Sequence, residues 1–490
     1  MKTSLRHRHI AALILLSPFI PAQASADISD MTGEAHAFSM GGAIARDNPP
    51  AAYIGGAVFA RAIDQTDVPI MQIDATIDPI SAATDASPIT APHRDAPLQI
   101  GKGITVPEQD LDYSKIRWQR MDIGWVGHFA IRAAGAETLR ASLALHGDDG
   151  ETPLSDEIAQ KIVFRIAGND KNVFETRAKE IRDSANYWTP LTSGDTIHIE
   201  VVAPHAVHPA TFRIRVPRLS YFSDALASTR YAAPGTARYA QQFYGAGACH
   251  RDVICRPQTA ALRNARDAVA KMVYTETNGK SYMCTGTLLN NGQVPKRALF
   301  LTSRHCIQTQ SDADSLLTIW FYQTTQCGGP PASIDQRVTQ LGGGATLLSA
   351  HPLLDMALLS LNHAPPAGAH YQGWSAKPLK RGEPITAIHH PAGDAKKHAI
   401  GTIADIGLYH PERERARITV QWGMADDAGA TEDGSSGSGI FTADAEGVAL
   451  RGTLNGGWSH CGASFARKID YYAPFSDFYP SVSHYFGLLD

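Results

Sequence analysis

Three residue types that can carry out nucleophilic acyl transfer occur in this 490-residue chain in the order His, Asp, Ser. His305 follows an apolar run and adjoins Cys306 in ALFLTSRHCI. Asp355 heads another apolar run in HPLLDMALLSL, and two adjacent serines, Ser435 and Ser436, sit in the glycine-rich DGSSGSG. Cleaving a peptide bond through a serine needs three roles. A base takes the hydroxyl proton, a second group fixes the base's tautomer, and preorganised donors receive the tetrahedral oxyanion. An imidazole, a carboxylate and the main-chain N–H groups of a glycine turn can supply all three. Each segment alone is commonplace. Together, at the ends of strand-like runs and with a cysteine beside the histidine, they form a specific pattern.

The elements that must hold these groups read as strands. After Cys249, SYMCTGTLL, ALFLTS, LLTIWFYQT, DMALLSL, ITAIHHP, ITVQW, SGIF and VALRGTLNGG are short apolar or alternating runs between Gly/Pro turns. That pattern predicts an all-β sandwich or barrel rather than an alternating α/β sheet. Upstream, WVGHFAI, LRASLALHG, KIVFRIAG, TIHIEVVAP and TFRIRV predict a smaller antiparallel β region over 115–217. Residues 27–114 are rich in Ala, Pro and Asp and weakly periodic, and 218–244 read as a linker containing Arg230 and Arg238.

Composition narrows the partners. A net charge of −4, from 44 basic against 48 acidic residues, excludes a strongly basic nucleic-acid or anionic-membrane binder. MKTSLRHRH, then IAALILLSPFI, then AQASA has the three parts of a secretory leader over 1–26. No later run approaches the ~20 apolar residues of a membrane span. Export predicts disulfides among Cys249, Cys255, Cys284, Cys306, Cys327 and Cys461, with the pairing open. No C-x-x-C occurs, so no metal or other cofactor is expected. The doublet His389–His390 points to opposite faces of a strand and reads as framework. Glu432 and Asp433 read as loop residues.

CTGTLLN followed by LFLTSRHC is similar to the segment around the catalytic histidine of trypsin-like serine proteases, and DMALLSL and GSSGSG resemble that group's aspartate and serine segments. A closer resemblance, over 245–480, is to the bacterial lysyl endopeptidases. It rests on CHRDVIC, IWFYQTTQC, HHPAGDAKK and TEDGSSGSGI, and YWTPLTSGDTIHIE resembles their pro-region. The resemblance implies two six-stranded antiparallel β-barrels over 245–490, preceded by a β-rich pro-domain. It implies the pairs Cys249–Cys461, Cys255–Cys327 and Cys284–Cys306; closing the longest loop would stabilise by roughly 4–5 kcal/mol. It implies Ser436 as nucleophile, His305 as base, Asp355 as its orienting acid, and the N–H groups of Gly434 and Ser436 as the oxyanion hole.

The resemblance also implies a substrate pocket. Asp470 lies nine residues after Cys461, where an acid would pair with a basic P1 side chain. Asn455, Gly456 and Gly457 of TLNGG and Tyr409 complete it. Asn455 replaces the group's histidine and Tyr409 its tryptophan, a departure that tells against strict lysine selectivity; the expectation from Asp470 is cleavage after basic residues, with Lys preferred over Arg. His460 reads as structural. The alternatives are a broader or acidic P1 preference, or a catalytically silent homologue that binds a partner. Ser435 stands where trypsin carries an aspartate, so a newly cut N-terminal amine cannot organise the oxyanion hole by ion pairing there. The pro-domain is expected to act as intramolecular chaperone or inhibitor, with cleavage near 230–246, at Arg238 for example, and a mature start near Tyr244 or Gly245.

Overall fold

The computed structural model describes residues 39–45, 55–59, 68–73, 97–107, 110–111, 113–170, 172–184, 186–222, 246–329, 338–408, 416–425, 428–444 and 447–487. The leader, Arg230, Arg238, Tyr244, Gly245 and Tyr409 lie outside these residues. No described helix is long and apolar enough to cross a membrane.

The alternating runs upstream of the linker become strands of two sheets. Gly124–Arg132, Thr196–Ala203, Val163–Ala167 and Val173–Arg177 are successive neighbours in one. Leu98–Thr105, Arg218–Phe222, Thr138–Gly147 and Phe212–Arg215 are successive neighbours in the other. Their inward residues, Phe129, Ile131 and Phe164 from the first and Leu139, Leu143 and Leu219 from the second, share one apolar core.

Leu98–Thr105 falls in the stretch read as weakly periodic. Gly101 and Gly103 interrupt its alternation, which removes the sequence signal for a strand. This strand joins the two halves of the chain. It pairs with Arg218–Phe222 on one side and with Lys280–Leu289 on the other, Lys102 facing Lys280 and Leu98 facing Met283. Val273, Met283, Leu317 and Ile319 of the C-terminal half accordingly lie in the upstream core. Arg140, buried over the Trp188 ring at 4.7 Å, donates from Nη2 to the Ser315 carbonyl at 2.6 Å. Gln340 exchanges two hydrogen bonds with the main chain of Leu191, at 2.9 and 3.1 Å. A second contact comes from Ser39–Met40 and Ala43–Ile44, which pair with Trp374–Ser375 and His370–Tyr371.

Downstream, the strands form two curled sheets, in keeping with the all-β expectation. Six close on themselves in the order Pro384–His389, Lys397–Leu408, Ala416–Trp422, Ile469–Pro474, Gly447–Gly457 and Gly439–Asp444. The preceding set runs Thr339–Leu341, Leu317–Trp320, Val269–Thr275, Lys280–Leu289, Leu299–Ser303, Met356–Leu361 and Ala345–His351. It stays open: among the described residues, its two end strands make no ladder with each other. Between the two sheets lies a separate apolar cluster containing Leu301, Met356, Trp374, Phe441, Phe475 and Phe478. The helix Phe475–Val482 contributes to it, with Phe475 set 5.3 Å from the Trp374 ring.

Candidate active site

Strand register brings the first two groups together. Ser303 faces Met356 across an antiparallel pair, so the turn after Ser303 and the residue before Met356 meet at one end. His305 Nδ1 lies 2.7 Å from Asp355 Oδ2, and the His305 main-chain N–H donates to Oδ1 at 2.8 Å. One carboxylate thus fixes the ring and its backbone. Asp355 has φ +54°, a left-handed conformation costing on the order of 1–3 kcal/mol in a non-glycine residue. The Arg304 N–H, bonded to the Asp355 carbonyl at 2.9 Å, helps to hold it there. Both side chains are buried, and His305 Nε2 has no hydrogen-bond partner among the described residues.

The serine turn is pressed against this strand end. Thr285, next to the Cys284–Cys306 disulfide, donates its N–H to the Ser436 carbonyl at 2.8 Å. Gly437 has φ +80°, and a Cβ there would lie 2.1 Å from Thr302 Oγ1. Gly434, at φ +91°, would bring a Cβ to 2.8 Å from the His390 carbonyl. Only glycine allows this turn to approach both walls. The peptide planes are also fixed. Ala392 N–H donates to the Asp433 carbonyl at 2.7 Å and Ser438 N–H to the Ser435 carbonyl at 3.0 Å. Since N–H and C=O oppose one another across a trans peptide, the N–H groups of Gly434 and Ser436 are turned the other way. Neither has a protein acceptor among the described residues, whereas Ser435 and Gly437 donate to Glu432 and Leu454.

Asp470 is fully buried beneath the same turn, on a strand where it faces both Val420 and Gly457. The Trp422 indole N–H and the Thr431 and Ser459 hydroxyls converge on Oδ2, and the Ser459 N–H donates to Oδ1 at 3.2 Å. A side chain at Gly457 would overlap Oδ1, so the glycine lets the strand lie on the carboxylate. These donors were missed in sequence; hydroxyls and an indole spread over 422–459 carry no local signal. Gly456, at φ +155°, continues the strand beside it. The Asn455 amide instead donates to the Leu354 carbonyl at 3.1 Å, and Ser303 Oγ lies 3.5 Å from its Oδ1. Its side chain therefore braces the Asp355 segment. The His460 ring pairs with the Cys461 carbonyl.

The six cysteines form Cys249–Cys461, Cys255–Cys327 and Cys284–Cys306. Among the described residues, two His/Cys/carboxylate groups come close together, and both include these sulfurs, which as disulfides are not thiolate ligands. Glu432 is more than a loop residue: Oε1 accepts from the Cys461 N–H at 2.6 Å and Oε2 lies 3.0 Å from His250 Nε2.

Behind the turn, His389 and His390 are both fully buried. Burial foremost, with His250 near the first and Lys396 near the second, holds both rings well below the ordinary histidine range. In the unfolded chain each takes up a proton near pH 6.5. The folded state gains none there, so stability falls as pH drops through that value, by about 1.4 kcal/mol per pH unit and ring. Urea unfolding should give a lower midpoint at pH 5.5 than at 7.5. Equal midpoints would mean that the rings accept protons in the fold.

An all-β fold with a paired His–Asp and a serine turn at its strand ends belongs to a known class. Residues 243–473 match the family described as lysyl endopeptidase, C-terminal domain, and residues 76–223 match the lysyl endopeptidase N-terminal domain. The chain belongs to the lysyl endopeptidase family and is a serine endopeptidase. It is 41% identical over 414 residues to a lysyl endopeptidase of Pseudomonas aeruginosa, covering 84% of this chain and 85% of that protein. Among solved structures it is similar to the HtrA-type protease AlgW with a tripeptide, at 21% identity and TM-score 0.32, over 46% of this chain and 63% of that one. It therefore spans under two thirds of that neighbour. The active form of the Rv3671c protease from M. tuberculosis matches at 18% identity and TM-score 0.30, over 48% of this chain and 89% of that one.

Proposed function

We propose that this chain is the precursor of a secreted endopeptidase that cleaves after basic residues, Lys in preference to Arg, through an acyl-enzyme on Ser436. The observation that carries the reading is the buried Asp355–His305 pair, whose open Nε2 belongs to the strand end against which the Ser436 turn is packed. His305 Nε2 takes the Ser436 hydroxyl proton as Oγ bonds to the scissile carbonyl carbon. Asp355 stabilises the resulting imidazolium. The oxyanion accepts from the N–H groups of Gly434 and Ser436. Collapse breaks the C–N bond, and the leaving amine takes the proton from His305. Water, deprotonated by the same ring, then hydrolyses the ester and returns the proton to Ser436.

Asp470 supports the basic P1, since its buried carboxylate is fixed by four donors. In this reading 1–26 is the leader, 27–217 the pro-region with its β domain over 115–217, 218–244 the cleaved linker and 245–490 the protease. The pro-region aids folding and restrains the protease until the linker is cut. Ala246 donates its N–H to Asp394 Oδ2 at 3.2 Å and Ser435 is bound elsewhere, which supports a maturation without N-terminal pairing at position 435.

A fluorophosphonate probe should label the processed protein at Ser436, and mass spectrometry of digested denatured proteins should show cuts after Lys above Arg. No labelling would mean a silent homologue. Dominant cuts after Glu or Phe would remove Asp470 from its role.

A further inference from the structure

We infer that His389 is a positioning residue for the oxyanion hole, acting through Ser435 on the turn that carries the Gly434 and Ser436 N–H groups. The inference rests on the reading of Ser436 as the nucleophile and concerns what holds its turn in place.

Ser435 and His389 are both fully buried, and Ser435 Oγ lies 2.8 Å from His389 Nδ1. The main-chain N–H of Glu432 points to the same oxygen at 3.3 Å. An amide N–H only donates, so Oγ accepts there, and it keeps one hydrogen and one further lone pair with which to meet Nδ1. Nδ1 meets the hydroxyl in either neutral tautomer of the ring, and Nε2 has no hydrogen-bond partner among the described residues. The surroundings enforce neutrality: His250 sits 5.9 Å away ring to ring, and His390, His398 and Lys397 oppose a second proton in a site closed to water.

Ser435 sits between the two residues whose N–H groups form the hole. Its main chain is bound locally, through its own N–H to Glu432 and its carbonyl to Ser438. Its side chain reaches the end of strand Pro384–His389, part of the closed six-stranded sheet. Two neighbouring ties run to the same region, Ala392 N–H to the Asp433 carbonyl and the Thr285 hydroxyl, itself bound by His390 N–H, to the Gly434 carbonyl. A neutral Ser–His bond thus takes the place of a charged lock and needs no incoming amine to complete it.

The test compares Ser435→Ala, His389→Leu and His389→Asn in the processed enzyme. Steady-state kinetics on a basic-P1 peptide amide are measured beside affinity for a peptide boronate, which forms a tetrahedral adduct, and for a simple alkylamine, which fills only the P1 pocket. Ser435→Ala and His389→Leu should lower kcat about 10- to 100-fold and weaken the boronate in parallel. KM and alkylamine affinity should stay within about threefold. His389→Asn, whose amide can meet the Ser435 hydroxyl through Oδ1 or Nδ2, should restore most of kcat. The double variant should be no worse than its poorer parent, because both remove one bond. Should His389→Leu fail to fold, Ser435→Ala alone decides. Unchanged kcat, or boronate and alkylamine affinity falling together, would overturn the proposal. Failure of the nucleophile reading shows separately, as a wild-type enzyme that forms no boronate adduct.

Discussion

Ser436→Ala is expected to lower kcat on a basic-P1 peptide by about 10⁶-fold while leaving the protein folded. In the proposed mechanism the Ser436 hydroxyl forms the ester; the turn's other hydroxyls, Ser435 and Ser438, are fully buried, the first against His389. Removing the Ser436 hydroxyl leaves the fold's ties in place, because the residue is bonded into the structure through its carbonyl, to Thr285 N–H. The Asp355–His305 pair and the two open N–H groups also survive. Residual turnover should therefore exceed the uncatalysed rate by about 10³-fold, from binding and the oxyanion donors alone. Activity within tenfold of the parent would place the nucleophile elsewhere.

The second large effect is at Asp470. Asp470→Asn should lower kcat/KM for Lys-containing substrates by about 10²- to 10⁴-fold, the cost of removing one partner of a buried charge pair. The carboxylate is fully buried and takes the Trp422 indole N–H, the Thr431 and Ser459 hydroxyls and the Ser459 N–H. Those donors fix the carboxylate in place, so in the proposed reading an arriving ammonium meets a preorganised partner. Asparagine removes the charge and sets an NH₂ against donors. Substrates with neutral P1 side chains should change little, and Ser436 should still label with the fluorophosphonate. Equal losses on both substrate types would indicate a collapsed pocket rather than a lost charge.

Both variants test residues that sequence alone could nominate. ALFLTSRHCI, HPLLDMALLSL and DGSSGSG display a histidine, an aspartate and a serine pair at strand ends, because strand runs and glycine turns are local signals. The β class was legible for the same reason. Pairing across long separations was not. Nothing in LQIGKGIT shows that it lies beside Lys280–Leu289, and its glycines hide even that it is a strand. Side-chain direction was equally hidden: Asn455 occupies a pocket position in the sequence pattern, yet its amide is committed to Leu354. The HHP doublet read as framework, and only the fold reveals that its first ring faces Ser435.

The strand Leu98–Thr105 has a consequence for how the chain is made. Ribosomal synthesis delivers residues 98–222 before any strand of the catalytic half exists. Closing that half requires distant partners, with Cys249 and Cys461 separated by 212 positions. Contacts of such high order form slowly and leave unpaired edges exposed while they wait. A sheet already assembled upstream offers its edge to Lys280–Met283 as soon as they emerge, and Val273, Met283, Leu317 and Ile319 find an apolar surface waiting. If the upstream half aids folding as proposed, the first strands of the open sheet are templated rather than searched for. A chain begun at residue 246 would have to form the same edge in open water.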